Sequence, residues 1–253
     1  IAFDQFILNE AAKPVMQKSD TQLNFTKKSN EVTVTGDSFE VKISNGAIVS
    51  IVRDGDELLT APVAPNYFRA LTDNDIDFLN FVPPFIFAQP YYKWKRATKS
   101  VSAQKTLVEQ KDGIVKVKIA LNVQFMKDAF VCYTVYPDGK VAVYHSAVPK
   151  APLLRFGYTF GVSRELNKVS WYGRGAAPSY PDRKTGYKIG KYSMPVSEFE
   201  YTYMRPQESS TRTDVRYFTL TDKKGKGIKV AAYYRDPVMF STLPYTPFML
   251  DKL

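Results

Sequence analysis

From Val115 to Phe125 the chain alternates: Val115, Val117, Ile119, Leu121, Val123 and Phe125 are apolar, with Lys116, Lys118, Asn122 and Gln124 between them. Successive side chains of a strand point to opposite faces. This pattern therefore predicts a strand of about eleven residues with one packed face and one wet face. The period of two recurs elsewhere. Phe39, Val41 and Ile43 alternate up to Asn45-Gly46, Ala47–Val52 follows, and Asp54-Gly55 turns the chain again. Asn-Gly and Asp-Gly between alternating runs mark tight hairpins, because both residues accept positive φ. Asp112-Gly113 joins Val101–Val108 to the long strand, and Pro137-Asp138-Gly139 joins Phe130–Tyr136 to Val141–His145. Lys223–Gly227 leads into Ile228–Tyr234. No long segment carries a 3.6-residue period with capping signals, and no repeat of roughly 20–50 residues is visible. The expected fold is all-β, a sandwich or barrel forming one main domain.

Scarce residues narrow the chemistry. A chain of 253 residues builds its core without a staple. The single Cys132 excludes an internal disulfide and a cysteine-based zinc site. The single His145 excludes a two-histidine metal site and leaves one imidazole base. No metal and no cofactor is therefore expected. No apolar run approaches the ~18 residues of a membrane span, so no membrane partner is expected. The net charge of +10 raises the question of a polyanion. The lysines are scattered, however, without a run of about five, and no nucleic-acid motif accompanies them. Ile1–Asn9 is short and contains Asp4, which does not read as a secretory signal and leaves the compartment, cytoplasmic or periplasmic, open.

Two stretches break the hairpin rhythm. Residues 1–30 hold one short strand, Ile1–Leu8, and then a polar stretch, Asn9–Asn30, that reads as a linker. Asn80–Tyr92 is rich in proline and aromatics and reads as a long loop, of the kind that often borders binding sites.

Among single residues, His145 reads as a partly buried strand histidine and Cys132 as a small buried hydrophobe. Gly173-Arg174-Gly175 lacks the lysine and following helix of a phosphate cradle. Asp73 and Asp75 flank Asn74, and an extended chain would aim both carboxylates the same way. That suits a sugar- or cation-binding pair better than an acid and base on opposite sides of a bond, while turn capping by the same side chains fits equally well. Glu208, Arg212, Asp214 and Arg216 form a second polar cluster, for which ion pairing is the default.

Three segments together, YFRALTDNDID (Tyr67–Asp77), VSWYGRGAAPSYPDRKTGYKIGKY (Val169–Tyr192) and YMRPQESSTRTDVRYFTLTD (Tyr203–Asp222), resemble the C-terminal domain of the large β-galactosidases of glycoside hydrolase family 2. IAFDQFIL (Ile1–Leu8) is similar to the last strand of the immunoglobulin-like domain that precedes it there, and Trp94 in YYKWKRA matches a family Trp-Lys. The resemblance implies a large antiparallel supersandwich of galactose-mutarotase-like architecture over 31–253, lacking its last strands. It implies that residues 1–30 are the end of a preceding domain plus a linker. It further implies a domain that helps close a sugar pocket, with the catalytic glutamates on a separate (β/α)₈ barrel, so that this chain alone is inactive. The implied partners are a β-galactoside or related sugar and the barrel and immunoglobulin-like domains of the parent. By carry-over the substrate-binding candidates are Asp73, Asn74, Asp75, Asp77, Trp94 and Glu208, with the loop Asp77–Tyr92.

The sequence departs from the family in three places. Ala176-Ala177-Pro178-Ser179-Tyr180 stands where Pro-x-Glu-Asn-Tyr is usual, and Ser209-Ser210 replaces Asn-Gly. The Gly-Gly-Asp-(Asp/Ser)-Trp stretch whose tryptophan forms a sugar platform is absent. Two other readings share the fold. One is a stand-alone carbohydrate-binding or assembly module whose open edge pairs with another chain as a homo-oligomer. The other is a mutarotase-like enzyme using His145 with Glu208, against which the strand placement of His145 argues.

Overall fold

The computed structural model describes residues 5–6, 22–75, 84–204, 206–232 and 236–251. They form two compact units: 22–69, 73–75 and 84–163 in the first, and 5–6, 70–72 and the described residues of 164–251 in the second. Antiparallel strands dominate both, and the fold is all-β and sandwich-like.

In the first unit one sheet holds β1 (Asn24–Lys28), β2 (Glu31–Thr35), β3 (Phe39–Ser44), β4 (Ala47–Arg53), β5 (Asp56–Glu57), β6 (Ala61–Asn66) and β11 (Gly157–Gly161), with β5 paired to β4. The other sheet is ordered β10-β9-β8-β7: Val141–Pro149, Met126–Val135, Ile114–Asn122 and Ser102–Lys111. The alternation that marks β8 is realised. Val115, Val117 and Ile119 are fully buried, while Lys116 and Lys118 are exposed. From the facing sheet Val32, Val34, Val41 and Ile43 are buried in the same way. Each such side chain contributes about 1.5–3 kcal/mol by leaving water. The Asn45-Gly46 turn, at φ 48° and 88°, links the layers. Tyr133 Oη donates to Gly46 O at 2.8 Å, and Ala103 N–H donates to Asn45 Oδ1 at 2.8 Å. A Cβ at Gly46 would lie 2.6 Å from Leu121 Cδ2, so the turn needs glycine for approach as well as for φ.

Three expectations are corrected here. The stretch read as a linker contains β1, which pairs with β2 along its length. All five of its residues are exposed, so no apolar alternation announced it. Cys132 is half-buried rather than interior, because the alternation that sends Val131, Tyr133 and Val135 inward turns Cys132 outward. The third correction concerns Asn80–Tyr92. Its described part belongs to helix α1 (Pro84–Lys99) and not to a loop. Pro84 takes the first helical position, where a missing N–H costs nothing. Tyr91, Trp94 and Ala97, three apart, form the buried stripe.

The second unit has a sheet ordered β13-β12-β15-β16: Ile189–Pro195, Lys168–Arg174, Tyr217–Thr221 and Gly227–Ala231. A ribbon of β14 (Arg212–Val215) and β17 (Val238–Phe240) accompanies it. Val169, Trp171, Phe218 and Leu220 face inward. Phe240 stacks on Phe218 at 4.3 Å between ring centres, and Phe199 meets Trp171 edge-on at 5.7 Å. No helix among the described residues is long and apolar enough to cross a membrane.

Candidate functional site

The segment after β6 carries the predicted Asp-Asn-Asp. Asn66 Oδ1 accepts the Phe68 N–H at 3.1 Å, and Tyr67 N–H donates to Thr98 Oγ1 of α1 at 3.0 Å, which ties the segment to the helix. Arg69 then grips Asp75 with both terminal nitrogens, Nη1 to Oδ2 at 2.6 Å and Nη2 to Oδ1 at 3.1 Å. Such a fork fixes a carboxylate in direction as well as in position. Residues 73–75 are helical. With about 100° per residue, Asp73 and Asp75 therefore point to opposite sides rather than together as an extended chain would place them. Asp73 and Asn74 are exposed, whereas Asp75 is half-buried against Arg69. Asp77 lies outside the described residues.

Trp94 is 0% exposed. Its Nε1–H donates to Pro152 O at 2.6 Å, and its ring adjoins Tyr67 and Phe125. It offers no face to a sugar. Beside it Tyr67 Oη and His145 Nε2 lie 3.0 Å apart, and Phe156 stacks on the imidazole at 4.4 Å. Burial pulls the His145 imidazole down to about 4, so it is neutral at ordinary pH.

Glu208 belongs to the second unit, within a run from Gln207 to Thr213 that is buried at every position. Several of its polar groups are met internally. Ser179 Oγ lies 2.8 Å from Thr213 Oγ1 and accepts the Thr213 N–H, while Ser179 N–H donates to Thr211 O. Arg212 lies over the Phe199 ring at 4.1 Å and donates to Ser210 O at 2.7 Å. Burial pulls its guanidinium down to about 10, which leaves it charged. Ser210 holds φ 68° while its Oγ accepts the Tyr201 N–H. The left-handed region is costly for a residue with a Cβ, and this hydrogen bond helps to hold Ser210 there. Asp214 pairs with Arg174 at 2.5 Å and with Lys184 at 3.2 Å. Burial alone would raise its carboxyl, but these hydrogen bonds outweigh it and hold the group below the usual carboxylate value. Within this cluster Asp214 forms ion pairs, with Arg174 and Lys184 as partners.

Gly-Arg-Gly has a packing reason. A Cβ on Gly173 would sit 2.7 Å from Val215 Cγ2 and 2.8 Å from Val215 Cα, so β12 and β14 approach too closely for alanine. Gly173→Ala is expected to cost about 1–3 kcal/mol in thermal unfolding. Gly186→Ala, whose Cβ would meet nothing within 4 Å, should stay within about 0.5 kcal/mol. Equal effects would contradict the close-approach account. No group of three metal-ligating side chains occurs among the described residues.

Residues 35–253 match the family model described as beta galactosidase small chain. The chain is 30% identical to a β-galactosidase of Priestia megaterium over 99% of its own length and 24% of that protein's. It is 28% identical to one of Halalkalibacterium halodurans over 100% of its length and 25% of that protein's. With a β-galactosidase of Lactobacillus delbrueckii subsp. bulgaricus the identity is 32% over 85% of the chain and 21% of that protein. The chain thus spans about a quarter of the length of these curated relatives.

Proposed function

The chain belongs to the β-galactosidase small-chain family, and from that premise we propose that it forms part of the wall of a sugar pocket in a β-galactosidase-type glycosidase. Hydrolysis with retention needs two carboxyl groups about 5–5.5 Å apart across the glycosidic bond. Asp73 and Asp75 suit that poorly, because they point apart and Asp75 is clasped by Arg69. The catalytic pair is accordingly assigned to other domains of the parent enzyme, and this chain to binding. The observation that carries the reading is the Arg69–Asp75 fork, which holds the segment while leaving Asp73 and Asn74 exposed to solvent. A fixed carboxylate and amide are the acceptors and donors that orient sugar hydroxyls.

Two measurements on the purified chain test this. A chromogenic β-galactoside should not be turned over; hydrolysis that persists after Asp73→Ala and Asp75→Ala would refute the division of labour. Calorimetric titration with galactose should register weak, millimolar-range binding, reduced about tenfold or more by Asp73→Ala with Asn74→Ala, a loss of about 1.4 kcal/mol. A variant that binds as well as the parent chain, or a parent chain that does not bind, removes the segment from the sugar site.

A further inference from the structure

The sheet β13-β12-β15-β16 turns one face to the core, and its ladder register fixes what the other face presents. Ser193, Ser170, Thr219 and Lys229 stand side by side in one row. Lys191, Tyr172, Tyr217 and Ala231 form the next row, and Lys168 stands between Pro195 and Thr221 in a third. The two tyrosine rings adjoin at 6.1 Å, and Tyr172 is 36% exposed. Cations border them: Arg216 lies 5.7 Å from the Tyr172 ring centre and Lys229 Nζ 4.6 Å from that of Tyr217. No acidic residue stands in these rows. Among the described residues, none of Lys168, Lys191, Arg216 and Lys229 pairs with a carboxylate.

We propose that this face binds an anionic oligosaccharide, a site in the second unit beyond the sugar pocket assigned above. Four strands about 4.8 Å apart make a patch roughly 14 Å wide. At physiological salt the screening length is about 8 Å, so neighbouring cations act together on a ligand at the surface. Charge complementarity alone would admit any polyanion. The tyrosine pair at the centre narrows the choice, since the C–H face of a sugar ring packs on an aromatic surface that an acidic peptide would leave unused. The Ser170 and Ser193 hydroxyls, 2.8 Å apart, share one hydrogen bond and keep lone pairs for sugar hydroxyls. Carboxylates on the sugar would meet Lys191, Lys229 and Lys168 in charge-assisted contacts.

The test titrates the chain with tetragalacturonate, and with neutral galactotetraose, poly-glutamate and a short DNA duplex as competitors of different class. Tetragalacturonate should bind, and the neutral tetrasaccharide should bind about tenfold more weakly. Tyr172→Ala, and separately Lys191→Ala with Lys229→Ala, should each weaken uronate binding about tenfold, or about 1.4 kcal/mol. Circular dichroism should stay unchanged, because these side chains face solvent. Asp73→Ala should leave uronate affinity untouched, which separates this site from the galactose pocket. Absence of uronate binding overturns the proposal. So does poly-glutamate or DNA binding at equal strength that ignores Tyr172→Ala, which would mark a surface read by charge alone.

Discussion

Replacing Trp94 by alanine should destabilise the first unit by about 3–5 kcal/mol, among the largest costs of any single truncation in this chain. The indole is 0% exposed and lies against Tyr67 and Phe125. Close-packed interiors relax little around a deleted ring, so the cavity would collapse only in part. Removal also takes from Pro152 O the Nε1–H that it receives at 2.6 Å. Trp94→Phe helps separate the two contributions, because it keeps much of the ring volume while losing the donor and the pyrrole edge, for an expected cost of about 1–3 kcal/mol. The chain has two tryptophans, Trp94 in the first unit and Trp171 in the second. In the Trp94 variants the remaining fluorescence reports the second unit, and far-ultraviolet circular dichroism follows both. Urea unfolding should show a lower midpoint by dichroism and a smaller shift by Trp171 emission. A change below about 1 kcal/mol in the alanine variant would mean that the indole is not a core element, and would reopen it as a sugar platform.

What the sequence disclosed follows from where the physics is local. Asn45-Gly46, Asp54-Gly55 and Asp112-Gly113 all hold positive φ at both positions, and each sits where the dipeptide predicts. Helix α1 was hidden for a local reason too. Pro83-Pro84 and Pro90 read as loop signals, and they outweighed the three-residue spacing of Tyr91, Trp94 and Ala97, all buried. The exposed strand β1 carries no alternation, because neither of its faces is packed.

The sites were less legible. The Asp-Asn-Asp motif stood out by resemblance, but the residue that disciplines it, Arg69, comes six positions before Asp75 and is joined to it only by the fold. The sequence of Gln207–Thr213 predicts surface-style ion pairs, yet the run is buried, and Ser179, distant in sequence, bonds to Thr213 and Thr211 there. Lys168, Lys191, Arg216 and Lys229 look scattered along the chain, and the strand ladder gathers them on one face. Long-range pairing carries no local spelling, so charge clustering of this kind has to be read from register.

His145 should make the first unit lose stability on mild acidification. Its imidazole, pulled down to about 4 by burial, resists protonation in the folded chain, while in the unfolded chain it titrates near 6.5. Above pH 6.5 both states hold it neutral, and its contribution to stability is fully present. As pH falls through 6.5 the unfolded state takes up the proton and the folded state does not, so stability declines until about pH 4. The gap of about 2.5 units corresponds to about 3 kcal/mol. Burial is the cause of the shift, and among the described residues the hydrogen-bond and ring contacts of the imidazole are with Tyr67, Phe156 and Tyr158, none of them charged at these pH values. Carboxylates such as Asp214, held below their ordinary value, also release stability in acid, but mostly below about pH 4.5, at the lower end of the histidine window. His145→Gln keeps a polar partner for Tyr67 Oη and removes the titration. The difference between parent and variant, measured by urea unfolding from pH 7 to pH 4, should grow along a slope approaching about 1.4 kcal/mol per pH unit in mid-window. Parallel curves for the two proteins would show that the imidazole titrates alike in both states, and that the Tyr67–His145–Phe156 packing does not exclude its charged form.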